Sequence, residues 1–243
     1  MDGQVPAMLV HPDEDFGRPR PTVLWMHGRT VTKEIDPGRF LRLLRAGIAA
    51  CAVDLPGHGE RYDAALQDPA RSLDVVLGMR SEIDGIVASI ADMPWFDTAC
   101  LGIGGMSAGG MATMSRLCEP HPFQAVSIEA SSGSWSHQQH RAMFAGRSDA
   151  EVRAVDPIHR LDGWREIPFL AFHTRTDAWV DFAGQEAFVG ALRDRYVDPS
   201  MVEFVVFEET GAPFEHAGFG RMAAEVKNRQ TAFFVEHLTA NMP

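Results

Sequence analysis

Short runs of β-branched and apolar residues alternate along the chain with longer stretches whose apolar residues recur at helical spacing. The short runs predict strands over 5–10, 22–26, 48–54, 99–103, 125–129, 168–173 and 202–207. The longer stretches predict helices over 38–46, 72–91, 108–118, 182–196 and 221–240. This is the rhythm of βαβ units, an α/β fold with a mostly parallel central sheet flanked by helices. From residue 22 onward the strand runs are apolar at consecutive positions, as strands covered on both faces should be. The first run is short and contains Pro6, which has no N–H for a ladder, so it is expected at an edge and antiparallel.

No repeat, low-complexity tract or linker interrupts the pattern, which predicts one domain over residues 1–243. The segment 131–162 breaks the rhythm. It opens on Ser131-Ser132-Gly133-Ser134-Trp135-Ser136 and continues into a helical-looking patch with Met143 and Phe144. It is longer than an ordinary βα connection and is expected to form a small cap over a pocket.

Composition narrows the partners. A formal net charge of −11 is the wrong sign for a nucleic-acid surface. The start, Met1-Asp2-Gly3-Gln4-Val5, lacks the basic and apolar regions of a secretory signal. No apolar run approaches the roughly 18 residues that span a bilayer. Cys51, Cys100 and Cys118 are sparse, odd in number and without CxxC spacing, which suits buried free thiols in a reducing compartment. The expectation is a cytoplasmic protein with no membrane span and no nucleic-acid partner; oligomeric state has no signature in the sequence.

The chemistry starts at Gly105-Met106-Ser107-Ala108-Gly109, a G-x-S-x-G pentapeptide between a predicted strand and a predicted helix. A serine on so tight a strand-to-helix turn is held in a strained backbone, and small residues two positions to either side let strand and helix approach. The turn raises the hydroxyl out of the sheet. It also puts the next backbone N–H, that of Ala108, at a helix N-terminus, where it can stabilise an oxyanion. His216 lies in a Gly- and Pro-bounded loop between the last strand and the last helix, at the carboxyl rim of the sheet where Ser107 also sits. Asp177 follows its strand by one short turn at the same rim and can accept the imidazole Nδ1–H. Glu129, ending the preceding strand, competes for that role.

These motifs resemble the α/β-hydrolases, particularly the dienelactone-hydrolase and prolyl-oligopeptidase-like esterases, over nearly the whole sequence. Leu24-Trp25-Met26-His27-Gly28 resembles the family's strand-end His-Gly, and Asp54-Leu55-Pro56-Gly57-His58-Gly59 its D-x-P-G-H-G segment. Thr176-Asp177-Ala178-Trp179-Val180 resembles the acid turn and Glu215-His216-Ala217 the histidine loop, in the family order Ser, Asp, His. The resemblance implies a cofactor-independent hydrolase with Ser107 as nucleophile, His216 as base and Asp177, rather than Glu129, as orienting acid. It implies a second oxyanion donor in the loop after His27-Gly28, the backbone N–H of Arg29. Met106, Trp135, Met143, Phe144 and Trp179 are candidate walls of a substrate pocket. His137 and His140 have no third ligand of suitable spacing, and no metal is expected.

The implied reaction is cleavage of a small carboxylic ester through an acyl-enzyme. A thioesterase, lactonase or acyltransferase on the same triad is the alternative, and a non-catalytic binding protein of the fold is the rival from another class. A peptidase is less expected, because the related exopeptidases carry an additional large β domain.

Overall fold

The computed structural model describes residues 5–239. In chain order it contains β1 (Ala7–Val10), β2 (Arg20–Met26), α1 (Pro37–Arg45), β3 (Ala49–Val53), α2 (Ser72–Ala91), β4 (Phe96–Met106), α3 (Ala108–Leu117) and β5 (Ala125–Glu129). It continues with α4 (Asp149–Val155), β6 (Phe169–Thr174), α5 (Phe182–Arg195), β7 (Val202–Phe207) and α6 (Ala223–Leu238). The strands form one sheet in the order β1-β3-β2-β4-β5-β6-β7. Only β1 is antiparallel, pairing Ala7 with Val53 at the sheet edge, and Pro6 stands just before it. The residues Met1–Gln4 read for a secretory signal, and Ala240 at the end of the last predicted helix, lie outside the described residues.

Strand alternation sorts the core into two halves. Leu24 and Met26 point to one face and pack with α2, α3 and α5; Val23 and Trp25 point to the other and pack with α1 and α6. Because both faces are covered, interior strands such as β3 are buried at every position. Among the described residues no helix is long and apolar enough to cross a membrane.

Two elements differ from expectation. β4 is eleven residues long, starting at Phe96 and running through Gly102, Gly104 and Gly105 to Met106. Glycine is a poor strand former, and here close packing requires it: a Cβ on Gly104 would fall 2.5 Å from the Trp25 ring. The segment 131–162, expected as a cap, instead packs against the helices of one face. It consists of α4 and single 3₁₀ turns, with Trp135 and Phe144 buried in the core half that holds α2, α3 and α5. The buried Asp156 carboxylate ties it together by accepting from Trp135 N at 2.8 Å, Ser136 N at 2.9 Å and Ser136 Oγ at 2.6 Å.

Candidate active site

The chain leaves β4 and enters α3 within one residue, Ser107, at φ 52° and ψ −118°, a region non-glycine residues avoid. Three bonds hold it there. Ser107 N donates to Glu129 O at 2.9 Å, and Ser107 O accepts from Met111 N at 2.9 Å and Ser131 Oγ at 2.8 Å. The close approach also explains Gly109, whose Cβ would meet Met26 O at 2.3 Å. Ala108 is the first residue of α3, so its N–H has no intrahelical acceptor and lies at the positive end of the helix dipole.

His216 is buried in the loop after β7, and its Nδ1 is 2.7 Å from Asp177 Oδ2. The other oxygen, Asp177 Oδ1, accepts from Trp179 N at 2.8 Å and Val180 N at 2.9 Å. Both oxygens of the carboxylate are therefore occupied, one by the imidazole and one by its own turn. The histidine loop is braced from within: the Glu215 carboxylate accepts from Thr210 N at 2.6 Å, Thr210 Oγ1 at 2.7 Å and Gly211 N at 2.8 Å. That brace accompanies two consecutive left-handed residues, Phe214 and Glu215. Ala178 N donates to Phe214 O at 3.0 Å and joins this loop to the acid turn.

Glu129, the competing acid, is taken by a different partner. Arg39 donates to its two oxygens at 2.7 and 2.8 Å, while Gln230 Nε2 reaches Oε1 at 3.2 Å. Arg39 also contacts Asp36 at 3.1 Å and lies over the Trp25 ring at 3.9 Å.

Ser107 and His216 border one cavity of about 370 Å³, together with Gly28, Arg29 and Met106. Trp179 lines its mouth, stacked on Phe214 with ring centroids 4.9 Å apart and 5.1 Å from the His216 ring. Of the expected pocket walls, Met106 and Trp179 line this cavity. Trp135, Met143 and Phe144 do not, because the 131–162 segment that carries them turns to the core. The Arg29 side chain is turned away as well, donating to Leu66 O at 3.0 Å, Gln67 O at 2.6 Å and the Ser72 hydroxyl.

Two other histidines near the rim hold structure. Burial pushes His27 down to about 4, and its Nε2 accepts from Leu55 N at 3.1 Å, joining the ends of β2 and β3. His58, lowered by burial, bonds through Nδ1 to Pro56 O at 2.9 Å inside its own loop. Among the described residues no group of three or more His, Cys, Asp or Glu is placed to hold a metal ion.

The cavity walls supplied by Trp25, Ile35, Arg39 and Phe219 were not anticipated from the sequence. Arg39 carried a signal: it is four residues before Leu43, on the same helix face, and a charge on an apolar stripe needs a buried partner.

Comparison with known proteins places this geometry. Over 122 residues the chain is 28% identical to esterase YjfP of Escherichia coli strain K12, covering 49% of this chain and 47% of that protein. The chain thus spans about half the length of this relative. The acylaminoacyl peptidase of Pyrococcus horikoshii superposes with a TM-score of 0.76 at 19% identity, over 98% of this chain and 40% of that one. TT1662 from Thermus thermophilus superposes with a TM-score of 0.73 at 20% identity, over 98% of this chain and 100% of that one. At such identities the superpositions speak for the fold, which is that of the α/β-hydrolases. The family model described as the prolyl oligopeptidase family matches residues 41–241, from α1 to beyond α6, and the chain belongs to that family.

Proposed function

We propose that this protein is a serine hydrolase that cleaves a small-molecule carboxylic ester, with Ser107, His216 and Asp177 as its triad. The reading rests above all on the 2.7 Å contact between His216 Nδ1 and Asp177 Oδ2 beside the cavity that Ser107 borders. Asp177 fixes the tautomer in which Nδ1 carries the proton and Nε2 is free to act as base. Ser107 Oγ attacks the ester carbonyl carbon and His216 Nε2 takes the hydroxyl proton. The negative charge that develops on the carbonyl oxygen is received by the N–H groups of Ala108 and Arg29. As the tetrahedral intermediate collapses, His216 returns the proton to the departing alcohol oxygen. Water, deprotonated by the same imidazole, then clears the acyl group from Ser107. The similarity to an esterase supports an ester substrate.

Ser107→Ala is expected to fold normally and to lose hydrolysis of 4-nitrophenyl acetate by a factor on the order of 10⁴–10⁶, since neither other triad member can replace the nucleophile. Activity of the purified variant within tenfold of the parent would overturn the assignment.

A further inference from the structure

The cavity beside Ser107 has an inner wall that the triad does not use. Arg39 and Glu129 are both buried and paired there. Further out, Lys227 Nζ lies 2.9 Å from Asp36 Oδ1, and Asp36 Oδ2 lies 3.1 Å from Arg39. All four residues line the cavity, whose other walls include Trp25, Met106, Val226 and Phe219. A buried ion pair is weak support for stability, because well-packed apolar residues of the same volume do as well or better. The Arg29 guanidinium at the same cavity is already bound to Leu66 O, Gln67 O and the Ser72 hydroxyl, so the four charges on this one wall, next to a nucleophile, call for a ligand.

On the catalytic reading given above, we propose that this cavity receives the alcohol half of the ester and that the Arg39–Glu129–Asp36–Lys227 wall recognises hydroxyl groups on it, so that the substrate is an ester of a hydroxylated alcohol. Three observations carry the assignment. The first concerns which half of the substrate enters. His216 must protonate the departing oxygen, so the alcohol leaves on the imidazole side, and the cavity is walled by His216 and the Ala217-Gly218-Phe219 segment that follows it. The second concerns charge. The wall holds two cations and two anions, so a ligand with a full charge would enter unbalanced, whereas a neutral polar group meets a balanced set. The third is hydrogen-bonding capacity. An ammonium has three N–H donors, and the bond to Asp36 uses one of those on Lys227. An ionised carboxylate has about four acceptor sites, and Arg39 and Gln230 fill three on Glu129. A hydroxyl both donates and accepts, and so uses both kinds of spare capacity. Glu129 is also close to the reacting centre, since its own carbonyl holds Ser107 N. A cavity of about 370 Å³ accommodates an alcohol of glycerol to monosaccharide size.

The test compares two acetates that differ only in the groups at issue. In 2-methylbutyl acetate each hydroxyl of 2,3-dihydroxypropyl acetate is replaced by a methyl group. For the intact chain, acetate release should favour the dihydroxy ester by at least about tenfold in kcat/KM, because a site with polar groups left unpaired rejects the methyl analogue. Glu129→Gln and Lys227→Met should each reduce that ratio several-fold. Lys227→Met, toward the solvent end of the wall, carries the test if Glu129→Gln fails to fold. A parent enzyme that treats the two acetates alike, or a ratio unchanged in every variant that folds, overturns the hydroxyl assignment. If 4-nitrophenyl acetate is still cleaved through Ser107 in that case, the hydrolase reading stands without it. If none of the three esters is cleaved, both fall together.

Discussion

Asp177 and Glu129 stand at or just beyond the ends of neighbouring strands, at the rim where Ser107 sits, and their partners separate them. One carboxylate meets His216 at 2.7 Å and the other meets Arg39 at 2.7 and 2.8 Å. Removing the charge at Asp177 would leave the imidazole in the wrong tautomer and its protonated form less stabilised. Asp177→Asn should therefore lower kcat for 4-nitrophenyl acetate by about 10³–10⁴. Glu129→Gln should cost about tenfold or less on that substrate, through displacement of the strand end beside Ser107. Side-by-side kinetics on variants with parental circular dichroism decide it, and the reverse order of effects would put the acid one strand away. The three residues proposed as the triad, Ser107, His216 and Asp177, stand out in the sequence because each sits in a local pattern: small neighbours around a strained serine, a glycine-bounded loop, a tight turn after a strand. The Arg39–Glu129 pair imposes none. Its members are 90 positions apart, and only the tertiary fold, which lays Arg39 of α1 over Trp25 of β2 and against Glu129 of β5, brings them together.

At the level of elements, the pattern was legible where burial has a clear period: the strand at 125–129 is buried at every position and the helix at 72–91 along one apolar stripe, and their bounds agree with β5 and α2. It failed where a tertiary contact outweighs propensity. The predicted strand 99–103 stops short of Gly104 and Gly105, yet these glycines belong to β4 and let Trp25 and α3 approach it. The 131–162 segment read as a cap because it is longer than an ordinary βα connection; its apolar residues instead join the core beside α3 and α5, and the Asp156 knot holds it together. Strand ends also set a pH dependence. Burial holds His27, just after β2, down at about 4, and burial lowers His173, within β6. In the unfolded chain both titrate near 6.5. Between about pH 6.5 and pH 4 the unfolded state thus binds protons that the native state refuses, so stability is fully present above that window and is lost as pH falls through it. Each unit of depression is about 1.4 kcal/mol. Thermal melts should be level above pH 7 and fall steadily from pH 6.5 to 4. A melting temperature that holds or rises across that interval would contradict neutral, buried histidines.

For the molecule as a whole, the chain resembles both an esterase in sequence and an acylaminoacyl peptidase in fold, so the fold does not fix the reaction. The observations behind the proposed hydrolase reading are local: a strained serine at a helix N-terminus, a histidine locked to a carboxylate, and one cavity bordered by both Ser107 and His216. The sheet brings these together at its carboxyl rim from β4, β6 and β7, which is why residues 70 and 39 positions apart in sequence can act as a unit. An alkyl fluorophosphonate reports on that unit directly, because an activated serine displaces fluoride from phosphorus far faster than an ordinary hydroxyl does. Intact-mass measurement after labelling should find one adduct per chain, mapped by peptide sequencing to Ser107 and absent from Ser107→Ala. A folded chain that stays unlabelled, or one labelled at another residue, would contradict Ser107 as the nucleophile.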